Sequence, residues 1–162
     1  YGARFPIISL VTVFMLQGAI MMIVSLPVQI ALSDADTSLT IVSYVGMAIF
    51  VLGIFFEAVG DWQLAQFKRD PQNAGQVMQT GLWKFTRHPN YFGDTCVWWG
   101  IGVVALGASF GWVGLFGSLL MNFFLVRVSG VPMLERSMSK RRPGYDEYKR
   151  RTSSFVPLPP KK

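Results

Sequence analysis

Residues 95–126 read TCVWWGIGVVALGASFGWVGLFGSLLMNFFLV, 32 consecutive positions without Asp, Glu, Lys, Arg or His. About 20 apolar residues in a helix cross the roughly 30 Å of a bilayer's hydrocarbon core. The turn Gly107-Ala108-Ser109-Phe110-Gly111 divides the stretch into two helices. They are predicted over about 90–107 and about 111–131, the second carried on as helix to about 140. Both are short for full crossings, and a re-entrant or strongly tilted 90–107 helix is the alternative.

Working towards the N-terminus, the only charged side chains before Glu57 are Arg4, Asp34 and Asp36. Two further apolar helices follow, about 6–32, with Pro27 as a kink, and about 37–68. An acidic turn at 33–36 joins them, and the run from Arg69 to Gly75 ends the second. Gly46, Gly53 and Gly60 recur every seven residues on that helix, a strip along which another helix backbone can approach closely. The expectation is an all-α polytopic bundle of about four transmembrane or re-entrant helices, with 1–162 as one unit and a basic segment over 141–162.

The chain of 162 residues carries a formal charge of +6, and from Arg127 onward it has ten basic and three acidic residues. Arg4, the Lys68–Arg87 loop and this tail fall on one side of four crossings, which places that side in the cytoplasm or an organellar matrix. No stacking-aromatic repeat supports nucleic acid. No Gly-x-Gly-x-x-Gly appears after a strand, there is no Walker loop, and no strand-to-helix nucleophile elbow points to a Ser–His–acid triad. One His and one Cys make no metal centre, and Cys96 has no disulfide partner in the sequence. The chain begins with Tyr, and its first apolar segment reads as an internal transmembrane helix rather than a signal peptide.

Three polar clusters stand at the ends of the apolar spans. Glu57, Asp61 and Lys68 follow helical offsets, and two carboxylates at a membrane boundary need hydrogen bonds, partners or water. The block GLWKFTRHPNYFGD, residues 81–94, places Arg87, His88, Asn90, Tyr91 and Asp94 around a helix start at Pro89. An Arg beside free N–H groups suits a phosphate, while His88 is equally at home as a hydrogen-bonded structural group. Arg127 and Glu135 lie eight residues apart along the last span. Tyr145, Tyr148 and Arg151 present phenols and a guanidinium if their segment is helical, although a basic interfacial helix explains that stretch equally well. Such a patch at the mouth of an apolar bundle is suited to an anionic cofactor whose apolar substrate arrives from lipid.

The 81–94 block, Glu57 to Lys68, the run Ser129-Gly130-Val131-Pro132-Met133-Leu134-Glu135 and the closing Tyr145-x-x-Tyr148-x-x-Arg151-Thr152-Ser153-x-Phe155-x-Pro157-x-x-Pro160 together resemble the DUF1295 family of membrane proteins. The resemblance runs from about residue 3 to 160. That family is related to the C-terminal part of steroid 5α-reductases and sterol reductases, and more distantly to isoprenylcysteine carboxyl methyltransferases. The resemblance implies NADPH bound at the cytosolic end of the bundle. It implies contacts from Glu57, Asp61, Lys68, Asn90, Arg127 and Glu135, supported by Tyr91, Asp94, Tyr145, Tyr148 and Arg151. Arg87 and His88 belong to an Arg-His-x-x-Tyr signature shared with the methyltransferases, from which the steroid reductases depart.

Complete relatives carry further N-terminal helices with the groups that engage substrate, so either those helices precede this stretch or a separate subunit supplies them. The function implied is reduction of a C=C bond in a steroid-, isoprenoid- or lipid-like substrate. The alternatives are a noncatalytic membrane subunit of a larger complex and an S-adenosylmethionine-dependent lipid methyltransferase. On the reductase reading Arg127→Ala costs cofactor binding one charge-assisted contact, about 1.5–3 kcal/mol.

Overall fold

The structure, a computed structural model, describes residues 2–33 and 38–161. It is helical, with no strand among the described residues beyond one isolated bridge between Thr86 and Ser153. The expected acidic turn lies, after Ser33, outside the described residues.

Helices α1 (Phe5–Ser9) and α2 (Leu16–Val24) are joined by a π-helical stretch into one rod, Phe5–Val24. The chain breaks at Ser25 and resumes as α3 (Leu26–Ser33). The expected kink therefore falls two residues before Pro27, whose ring excludes the carbonyl of the preceding turn. Helix α4 (Ile41–Arg69) begins later than the sequence predicts, because Thr40 and Ser43 form a reciprocal cap: Thr40 Oγ1 accepts from the Ser43 N–H, and the Ser43 hydroxyl accepts from the Thr40 N–H. Its far end is closed by Asn73, whose amide donates to the Phe67 carbonyl at 2.9 Å. Helix α5 spans Pro89–Ala105, and a left-handed Phe110 turns the chain towards α6 (Gly114–Phe123).

Helix α6 runs through wide π-type turns to Val128 and breaks at Ser129–Gly130, before α7 (Val131–Arg141) and α8 (Tyr145–Arg151). A single 111–140 helix was expected. The break puts Arg127 and Glu135 on different helices instead of two turns apart on one. Three stretches are long and apolar enough to cross a membrane: Phe5–Val24, Ile41–Arg69 and Gly111–Arg141. In the last of these the apolar part ends at Val128, and α7 forms its charged extension. Helix α5, at 17 residues, spans about 26 Å, somewhat less than the hydrocarbon thickness. The protein is a membrane protein by this measure.

The tightest packing is the antiparallel seam between α4 and α5. A Cβ added at Gly46 would stand 2.8 Å from the Gly100 carbonyl oxygen, and one at Gly53 would stand 2.7 Å from that of Gly93. The strip read from the sequence thus meets a second one on α5, Gly93 and Gly100, also seven residues apart. Gly60 closes the seam against Pro89. On the other flank of α5, the Ser118 hydroxyl of α6 donates to the Trp98 carbonyl at 2.7 Å, and α3 wedges Pro27 against Gly114 and Gly117. The rod Phe5–Val24 is left with its apolar side chains almost wholly exposed.

Candidate functional site

The polar end of the α4–α5 pair is built around residues 81–88. Gly81 takes φ +62°, and a Cβ there would stand 2.5 Å from the Gln63 amide, so only glycine lets the chain turn against α4. Gln63 Oε1 then accepts the Leu82 N–H at 2.9 Å, and the Trp83 indole N–H donates to the Gly60 carbonyl at 3.0 Å. Trp83 is therefore a buried packing group.

Arg87 is the hub of this end. Its guanidinium, 8% exposed, lies 2.7 Å from Glu135 on α7. Its Nη1 donates to the carbonyls of Lys149, at 2.9 Å, and Thr152. His88, 1% exposed, places Nε2 3.2 Å from the same Glu135 oxygen, and its ring stacks on Tyr91 at 5.4 Å. Lys149 lies 3.9 Å from the second Glu135 oxygen. Burial opposes ionisation of Glu135, but hydrogen bonds from His88 and Arg87 and the Arg87 charge outweigh it and hold the carboxyl down at about 2.

The tail is strapped to the same segment. The Arg87 N–H donates to the Ser153 carbonyl, the Thr86 hydroxyl to Phe155 and the Leu158 N–H to Phe85. The Tyr148 hydroxyl donates to the Trp83 carbonyl. Burial pushes the Tyr145 phenol up to about 12 and raises that of Tyr148 as well.

Beside this hub lies a cavity of about 360 Å³ between the last turns of α4, the 70–78 loop and the α7–α8 pair. Lys68, Arg87, His88, Tyr145 and Tyr148 line it. So do Asn73, Gln76, Leu134, Met138 and Arg142, which the sequence reading passed over. Leu134 and Met138 stand four residues apart on one face of α7, and Arg142 follows in extended backbone just past the helix end. Among the described residues, His88 Nδ1 is the one buried side-chain polar atom with no hydrogen-bond partner. Lys68 and Arg142 supply positive charge without an ion pair among the described residues.

The remaining predicted residues fall elsewhere. Asn90 donates to Asp61 at 2.9 Å, so α5 satisfies a carboxylate for which water was expected. Glu57 lies within electrostatic reach of Asp61 and Asp94. These carboxylates follow the α4–α5 seam and do not line the cavity. Arg127 is exposed, with no hydrogen bond or ion pair among the described residues, and Arg151 is exposed too. The structure thus joins Arg87, His88, Glu135, Tyr145 and Tyr148, pairs Asp61 with Asn90, and leaves Arg127 apart from both groups.

Known proteins supply the context for this geometry. Over 98 residues the chain is 34% identical to a protein named "Probable O-methyltransferase ustE" from Ustilaginoidea virens, covering 59% of this chain and 32% of that one. Over 87 residues it is 25% identical to "Steroid 5-alpha-reductase DET2" from Arabidopsis thaliana, covering 54% of this chain and 29% of the relative. The matched segments span about a third of each relative's length. No solved structure matches. Residues 1–152 match the family described as "Protein of unknown function (DUF1295)", nearly the whole chain, and the protein is a member of that family.

Proposed function

We propose that this chain is the cofactor-binding portion of an NADPH-dependent membrane oxidoreductase that reduces a C=C bond in a steroid-, isoprenoid- or other lipid-like substrate. The observation that carries the reading is the cavity beside Arg87. It combines two cationic side chains at its wall, Lys68 and Arg142, aromatic groups in Trp83, Tyr145 and Tyr148, and a buried imidazole with an open valence. A phosphorylated nucleotide needs these three things. Lys68 and Arg142 neutralise phosphate oxygens, and the aromatic side chains offer a flat wall to a base. With its Nε2 proton donated to Glu135, the His88 ring leaves Nδ1 as an acceptor for an amide or amino N–H.

Bound NADPH supplies the hydride, and a proton completes the reduction. The residues of this chain orient the carrier, and the α7–α8 cover excludes water from it. Arg87 acts through Glu135 by fixing that cover rather than by gripping phosphate. The similarity to a steroid 5-alpha-reductase supports this reading. The basic loop and tail lie on the cytoplasmic or matrix side, and substrate enters from the lipid against which the apolar helices stand. The groups that engage substrate belong to further helices or to a partner subunit.

A second reading, S-adenosylmethionine-dependent methyl transfer to a lipid-like acceptor, is favoured by the size of the cavity. At about 360 Å³ it is near the small end of ligand sites and holds one nucleoside more readily than two. The similarity to a methyltransferase-named protein points the same way. Calorimetric titration of the purified chain in nanodiscs with NADPH and, separately, S-adenosylmethionine distinguishes the readings. Saturable binding of NADPH that Lys68→Ala and Arg142→Ala weaken is expected. Binding of S-adenosylmethionine alone transfers the site to the second reading. Binding of neither by folded protein overturns both and leaves a noncatalytic membrane subunit.

A further inference from the structure

Helix α7 has two functional faces. Leu134 and Met138 look into the cavity, joined by Arg142 just beyond the helix end, whereas Arg136, Ser139 and Lys140 line a separate outer groove of about 430 Å³ together with Pro132, Glu135 and Lys149. Arg136 and Lys140 stand four residues apart on one face, and Lys149 reaches in from α8. Glu135, which also lines the groove, is engaged by Arg87 and His88 and lies 3.9 Å from Lys149, so the lining sets three cations against one shared carboxylate and stays net positive. The stretch 136–151 as a whole holds seven basic and two acidic residues.

The register of this groove is set by the span before it. The apolar run ends at Val128, the chain breaks at Ser129–Gly130, and α7 begins at Val131. Its first turn carries the exposed apolar Met133, one turn ahead of Arg136. Pro132 lines the start of the groove and Met133 stands next to it outside the lining, so the surface passes from an apolar first turn to Arg136 within about 5 Å, one helical turn. We propose that this groove is a binding site for an anionic phospholipid, with the headgroup phosphate held by Arg136, Lys140 and Lys149 and the acyl chains lying along the apolar start of α7. The charge calls for an anion, and the apolar first turn of α7 beside it favours a lipid over a soluble one, because a free phosphate has no use for that apolar end.

The test is native mass spectrometry of the full chain released from nanodiscs containing phosphatidylglycerol and phosphatidylcholine in equal amounts. Retained phosphatidylglycerol should exceed phosphatidylcholine by about tenfold or more, as three cations near an anionic lipid imply. The variant Arg136→Gln/Lys140→Gln/Lys149→Gln should abolish the preference. A charge-matched control, Arg69→Gln/Arg150→Gln/Lys161→Gln, should keep it, and circular dichroism checks that both variants fold. Equal loss in both variants shows diffuse charge without a site and overturns the proposal, as does absence of preference in the unaltered protein. Displacement of the retained lipid by inorganic phosphate alone assigns the groove to a soluble anion and also overturns it. NADPH titration of Arg136→Gln/Lys140→Gln, which leaves the Lys149–Glu135 contact intact, reads the cavity separately, so the two proposals fail independently.

Discussion

Replacing Gly53 with Ala is a one-methyl test of the α4–α5 seam. The new Cβ would lie 2.6 Å from the Val97 nitrogen, 2.7 Å from the Gly93 oxygen and 2.9 Å from Val97 Cγ2. The two nearest atoms are backbone on the facing helix, so no side chain can swing away, and relief requires the helices to part by roughly 0.8–1 Å locally. A gap of that size forfeits a quarter to a half of each contact's attraction. Over on the order of 20–30 atom pairs at ~0.15 kcal/mol each, this is about 1–2 kcal/mol. Weakened Cα–H···O contacts add about 0.5–1 kcal/mol. Ala's better helix propensity returns up to about 1 kcal/mol, so the net destabilisation is about 1–2 kcal/mol.

Gly18→Ala supplies the opposite sign, since nothing lies within 4 Å of its added Cβ and only the propensity gain of about 0.5–1 kcal/mol remains. Thermal unfolding in one detergent, followed by circular dichroism, reads both. Gly53→Ala should melt about 2–8 °C below the parent and Gly18→Ala at or above it. A Gly53→Ala protein that melts with or above the parent refutes the close seam.

Other outcomes follow from the polar end. Glu135→Gln leaves Arg87 buried without its counter-charge and should destabilise by about 3–5 kcal/mol in denaturant titration. Because the folded carboxyl is held down at about 2, its stabilising contribution is complete above the ordinary carboxylate range near 4.5 and is lost as pH falls towards 2. The gap between parent and Glu135→Gln should therefore close across that acid window, and a gap that instead widens contradicts the assignment. Tyr148→Phe leaves the buried Trp83 carbonyl without this donor and should cost about 1–3 kcal/mol in the same unfolding assay. In a phenolate absorbance titration Tyr145 and Tyr148 should ionise only at strongly alkaline pH, or on unfolding. Nucleotide affinity should fall with Lys68→Ala by about 1.5–3 kcal/mol, the range of a charge-assisted bond, and stay unchanged in Arg127→Ala, which the cavity does not include.

The spans were legible because hydrocarbon excludes charge, and the positions of Asp, Glu, Lys and Arg mark their ends directly. The glycine strip on α4 was legible for a similar reason, since its seven-residue spacing stays on one face. Its partner was not: α5 contains Gly93, Gly100 and Gly102, and only the crossing geometry selects the first two. At the site, the sequence named most of the polar groups but not their attachments. Arg87 reads as a free cation suited to phosphate because two of its partners are the backbone carbonyls of Lys149 and Thr152, and every residue possesses a carbonyl. Its third partner, Glu135, is 48 residues away. The helix break at Ser129–Gly130, which separates Arg127 from Glu135, is signalled by Gly130 and by Pro132 in the first turn of α7, a signal that the hydropathy of the span overrode in the sequence reading.

The bonding of Arg87 bears on how the chain is made. Synthesis runs from the N-terminus, so α4 and the 81–88 segment are made before residues 149–155 exist. Until those residues appear, the guanidinium lacks most of its acceptors and must stay wet, which keeps the 81–88 segment from docking. Synthesis of residues 149–155 is thereby coupled to closure of this polar end. A polypeptide truncated after Arg141 would insert its spans yet leave that end open, the kind of half-finished surface that cellular proteolysis recognises.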